Sequence, residues 1–210
     1  MELSVTRAST DLPAVGKLGL FDVTRDDFDA ITTSVRGFRW RQEVEVVEIG
    51  SPQRLAPHAL ALEAEVKTAG DEAMASGRLV ILHNPAGDET WDGCTRLVSF
   101  TQAQVEFEMA TDPLLADVAW SWLTDALRHA DADHTAASGT VTAMTSRSFG
   151  ELDTKPDCAE VEVRCSWTAL DDGKIARHVA AWQEMLCQLA GLEPLADGVI
   201  TLGRRAVGTR

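Results

Sequence analysis

The 210-residue chain carries 33 acidic against 19 basic side chains, a net charge of −14. Such a surface repels phosphate backbones and anionic lipids, which excludes nucleic acid as a primary partner and leaves only the terminal RRAVGTR as a basic segment. At 45% apolar and 25% charged, the composition is that of a globular domain long enough to bury a sizeable core.

The opening MELSVTRASTDLP has no continuous apolar core of the kind a leader needs. No stretch approaches the roughly 18 apolar residues of a membrane span, so the expectation is a cytoplasmic protein without a membrane partner. The four cysteines, Cys94, Cys158, Cys165 and Cys187, fit reduced thiols there better than a disulfide framework.

Residues 1–23 show no periodicity and read as a flexible arm. TRDDFDAITTSVRGF then carries helix signals: Thr24 as cap, an acidic first turn, a Phe28–Ile31–Val35 stripe and a closing Gly37. Four strand-like segments follow. Residues 43–49 alternate at first, and 58–66 put Leu60, Leu62, Ala64 and Val66 on one face. The continuous apolar run at 78–83 predicts a strand covered on both faces. The long 94–109 segment sets Ala103, Val105, Phe107 and Met109 against Gln102, Gln104, Glu106 and Glu108.

Short connections between these segments favour antiparallel pairing. Asp112 followed by Pro113 predicts a helix running to about His129. The Thr- and Ser-rich 138–150 predicts a strand of weak face preference. Residues 159–170 alternate, with Val161, Val163, Cys165 and Trp167 inward. Asp171 or Asp172 caps a last helix, about 174–190, which Gly191 closes in a left-handed conformation. A possible short strand, GVITL, lies in an otherwise irregular tail, 196–210. The order α-ββββ-α-ββ-α predicts a single α+β domain over 24–195, its antiparallel sheet covered by helices on one face.

Trp120 and Trp122 pose a packing question, because residues two apart on a helix do not share a face. Turning about 100° per residue, the apolar residues of 114–130 sweep an arc of about 240°, wider than one sheet contact requires. A second cover is needed: the last helix, a second subunit, or a bound ligand. Trp122 is assigned to the sheet and Trp120 to the second cover.

No phosphate loop, dinucleotide fingerprint, zinc-binding spacing or nucleophile elbow is present, so no catalytic residue, metal site or cofactor is assigned. Cys165 and Cys187 read as small core residues, and His178, four residues before Trp182, as a packing residue. Outward carboxylates such as Glu106/Glu108 and Glu160/Glu162 read as solvated. His58 and His83 each stand at a strand end. With Arg54 and the loop residue Trp91 they could form a small polar and aromatic site, or a loop-anchoring cluster.

SPQRLAPHALALEAEV, GRLVILHNPAG, DPLLADVAWSWLTDAL and HVAAWQEMLCQLAGL together resemble an uncharacterised actinobacterial family of the domain-of-unknown-function type, over roughly residues 25–205. That resemblance implies no activity. The element order is also similar to that of type III secretion chaperones, which implies a dimeric polypeptide-binding protein. The sequence thus points to a non-enzymatic protein-binding or chaperone-like module, either a homodimer or bound to another protein, with Trp120 as a candidate contact. The alternative is a small-molecule-binding protein or enzyme with its pocket near His58, His83 and Trp91.

Overall fold

The computed structural model describes residues 18–67, 73–152, 154 and 157–194. Among these residues are four α-helices: α1 (Leu18–Arg36), the short α2 (Phe107–Ala110), α3 (Leu115–His129) and α4 (Ile175–Leu189). The strands are β1 (Val44–Ile49), β2 (His58–Lys67), β3 (Ala73–Asp88), β4 (Gly93–Val105), β5 (His134–Ser146) and β6 (Cys158–Ala169). They form one antiparallel sheet in the order β1-β2-β3-β4-β6-β5. This is the expected α+β architecture. No helix among the described residues is long and apolar enough to cross a membrane.

Alternation decides which sheet face is covered. Leu60, Leu62, Ala64 and Val66 of β2 are buried, as are Val161, Val163, Cys165 and Trp167 of β6. On β4 the same face carries Thr95, Ser99 and Thr101, all buried. Each has a partner, as buried hydroxyls require: Thr95 meets His83, Ser99 accepts from Trp182 Nε1 at 2.8 Å, and Thr101 donates to the Val163 carbonyl.

α4 lies over this face and is buried almost all round: Ile175, His178, Val179, Trp182, Met185 and Leu186 are each 0% exposed. Only a narrow polar side with Arg177, Glu184 and Gln188 stays accessible; so broad an apolar surface must be enclosed, and α1 and α3 flank it. Gly77 allows the close approach, because a Cβ there would stand 3.0 Å from both Trp182 and Thr101. Trp40 adds edge-on contacts to Phe38 and Trp182. Gly191, at φ +77°, closes α4 as expected. Its N–H reaches the Gln188 carbonyl and that of Leu192 reaches Cys187, the paired bonds of a left-handed cap.

Some expectations need correction. α1 begins at Leu18, within the stretch read as an arm, so Thr24 is not its cap. The strand expected over 94–109 stops at Val105, opposite Ala159 near the start of β6, and residues 107–110 turn into α2. β3 extends to 73–88 rather than 78–83, its pairing lapsing between His83 and Asp88 around Pro85. β5 covers 134–146 rather than 138–150. Residues 1–17 and the tail from 195, with its GVITL, lie outside the described residues.

Candidate functional site

The predicted histidine site is half assembled. Strand register places His58 opposite His83, and His83 opposite Thr95. Phe28 of α1 stacks on both rings, at 5.1 and 5.9 Å between centroids. His83 is 1% exposed. Its Nδ1 lies 2.7 Å from Thr95 Oγ1 and 3.7 Å from Asp172 Oδ2. Burial pushes its pKa below the usual histidine range, and the Asp172 carboxylate partly opposes that. A neutral, immobilised ring results, with Nε2 buried and unpartnered among the described residues.

Phe28, Thr95 and Asp172 escaped the sequence reading. Phe28 was legible only as a helix-stripe residue and Asp172 only as a possible cap. Arg54 and Trp91 do not join the cluster. Arg54 is exposed in the β1–β2 connection, at φ +78°, and among the described residues it forms no ion pair. The Trp91 carbonyl accepts from Thr168 Oγ1, and Thr168 points to the sheet face opposite His83. The cluster therefore ties α1, the turn at 172–174 and three strands together.

The second region is the sheet face that α1, α3 and α4 leave uncovered. Register aligns Ile49, Ala61, Val80, Val98, Ser166 and Ser138 across all six strands. The neighbouring row runs Val47, Glu63, Arg78, Phe100, Arg164 and Thr140. Val98 is 39% exposed. The expectation of a strand covered on both faces at 78–83 holds only in part: Leu79 and Ile81 are enclosed, and on the other side Leu82 is buried while Val80 is only half-buried.

A shallow cavity of about 590 Å³ lies here, lined by Val80, Val98, Phe100, Ser138 and the arginines Arg78 and Arg164. Arg78 pairs with Glu63 at 2.8 Å. Arg164 pairs with Glu162 and lies 5.4 Å over the Phe100 ring. Arg96 is different. Its guanidinium donates to Thr168 Oγ1, Ser166 Oγ and the Ala136 carbonyl, and it forms no ion pair among the described residues. Burial lowers its pKa from the usual arginine value. The sequence reading missed this surface, because an outward apolar residue in a strand looks the same whether or not a helix covers it.

The two tryptophans of α3 resolve differently from the expectation. Leu115, Ala119, Leu123, Ala126 and Leu127 form the buried stripe. Trp120 and Trp122 flank it on opposite sides, both half-buried. Trp120 lies on the sheet: its ring stands 2.7 Å from where a Cβ on Gly139 of β5 would be. Trp122 is packed against the core on the other flank. The assignment of Trp120 is therefore corrected: it lies on the sheet. Leu114 and Val118, on the leading side of the arc, are 62% and 43% exposed.

Residues 24–200 match a family described as a protein of unknown function, DUF3000. No curated protein and no solved structure matches the chain.

Proposed function

The chain belongs to the DUF3000 family, whose function is unknown, and we propose that it is a non-enzymatic protein-binding module whose contact surface is the uncovered face of the sheet. The single observation that carries this reading is the row Ile49–Ala61–Val80–Val98 with Phe100 beside it, apolar side chains on a face that no helix among the described residues covers. Contiguous exposed apolar surface rimmed by polar groups marks interaction sites. Arg78 and Arg164 on this face are already paired with Glu63 and Glu162, and Arg96 alone of its three arginines forms no ion pair among the described residues. An apolar polypeptide segment with a carboxylate placed to reach Arg96 complements this face.

The test replaces Val98 by a photoreactive residue in the full chain and irradiates native cells, with Glu184 on the helical side as the control position. Capture of one polypeptide from position 98 alone, abolished by Val80→Asp with Arg164→Glu, supports the reading. No capture from position 98, or equal capture from both positions, overturns it.

A second reading, a small-molecule site at Phe28, His58 and His83, is favoured only by the buried Nε2 of His83, which has no partner among the described residues. His83→Gln separates the two: it weakens ligand binding under the second reading and leaves polypeptide capture intact under the first.

A further inference from the structure

We infer that the outer edge of β5 is the surface on which two copies of this chain pair, antiparallel, into one continuous sheet. This rests on observations separate from the open-face reading. Among the described residues β5 is an edge strand, bonded only to β6. An edge strand presents a row of unpaired N–H and C=O groups, which proteins ordinarily guard with charges, proline or bulges.

β5 is poorly guarded. From Thr135 to Ser146 it carries no charged side chain and no proline. Every other strand of the sheet carries at least one charge; the opposite edge, β1, has Glu45 and Glu48. One irregularity falls between Thr135 and Ser138, and beyond it Ser138–Ser146 pairs with β6 without interruption. Nine residues in a row thus form an uninterrupted, neutral edge.

Charge selects the occupant. Two copies at −14 each repel over most of their surfaces, and this edge is where they can meet without opposing carboxylates. A pairing centred on Thr142 places Thr142 against its own copy, Thr140 against Met144 and Ser138 against Ser146. No like charges meet, and Thr–Thr pairs are favourable across strands. The contact is isologous and closes as a two-fold dimer. Met144, 42% exposed, lies on the outer face of the joint, and half-buried Trp120 roofs Gly139 on the inner face. The two open faces then run on as one surface.

The experiment measures sedimentation of the full chain over a dilution series in the micromolar range, for the wild type and for Thr142→Lys. Hydrogen exchange of the wild type is followed at both ends of the series. The expected result is a wild-type dimer whose amides between Ser138 and Ser146 gain protection with concentration, and a Thr142→Lys variant that stays monomeric with an unchanged circular dichroism spectrum. A wild type that is monomeric throughout overturns the inference. So does a dimer that Thr142→Lys leaves intact, or one whose concentration-dependent protection falls outside β5. If Thr142→Lys fails to fold, the exchange pattern of the wild type decides alone.

Discussion

Acidification is expected to loosen this fold through His178. Its ring is 0% exposed on α4. Nδ1 accepts from Trp167 Nε1 at 3.1 Å, which fixes the neutral tautomer. Burial pushes its pKa from the ordinary 6.5 down to about 4, His134 adding to the shift and Asp133 and Asp171 opposing it. A depressed histidine pKa means that the unfolded chain binds the proton first as pH falls. The stabilisation is therefore complete above 6.5 and is lost between 6.5 and about 4. At 1.36 kcal/mol per pH unit that gap amounts to about 3 kcal/mol, of which about 2 kcal/mol has gone by pH 5.

The assay is urea unfolding followed by tryptophan fluorescence at pH 7, 6 and 5, for the wild type and for His178→Gln. Gln offers an acceptor to Trp167 but does not titrate. The variant is less stable at pH 7 and should lose less stability than the wild type on going to pH 5. Carboxylates with lowered pKa values, such as Glu48 paired with Arg36, contribute at lower pH and equally in both proteins. Two proteins that lose stability in parallel from pH 7 to pH 5 would refute the reasoning.

Other outcomes follow from the packing. Gly77→Ala presses a methyl against Trp182, Thr101 and Leu186 and should cost about 1–3 kcal/mol, read as a lowered unfolding midpoint. Arg41 is 5% exposed, donates to the Glu193 carbonyl and lies near Glu43 and Glu184. Arg41→Ala strands both carboxylates, at a cost of about 2–3 kcal/mol given their partial exposure, measured in the same way. Cys158 is exposed and should react promptly with a thiol reagent. Cys165 and Cys187, whose thiols burial pushes up to about 12, should react only after unfolding, which mass spectrometry of labelled peptides will show. Trp120→Ala and Trp122→Ala, both half-buried, should each cost less than the ~3–5 kcal/mol of a fully buried aromatic, and a thermal scan of the pair tests this.

The sheet was legible where a neighbour continued alongside. In β6 the alternation of Val161, Val163, Cys165 and Trp167 has a partner strand at every step, and all four are buried. The reading failed just past Val105. Phe107 and Met109 keep the period of two, yet β6 begins at Cys158 and offers nothing to pair with beyond it. The chain turns into α2 instead, where Arg147 lies 5.6 Å over the Phe107 ring. Where a strand stops depends on its neighbour, which its own residues do not encode. The same limit governed the histidine cluster. His58 and His83 were visible as strand ends, but their alignment with each other is a fact of register. Asp172 and Phe28 reach them through tertiary packing alone. On α3 the width of the apolar arc was visible, but not which flank met the sheet, and Gly139 decides that by leaving room for Trp120.

The strand order has a consequence for how the chain assembles. β1 to β4 form a meander of neighbours in sequence, and β5 with β6 is a second local hairpin. In the β3–β4 hairpin, His83 and Thr95 pair across only 12 residues. The joint between β4 and β6 pairs residues 54 to 74 apart. Closing the longer loop costs more entropy, by about 1.5 kcal/mol or roughly tenfold in probability. Two quickly formed halves therefore meet late, along the Thr95–Val105 edge of β4, and α4 can be enclosed only once that seam has closed. Slow folding steps then belong to the seam, and substitutions in Thr101 or Val163 act on the rate of folding more than on the rate of unfolding.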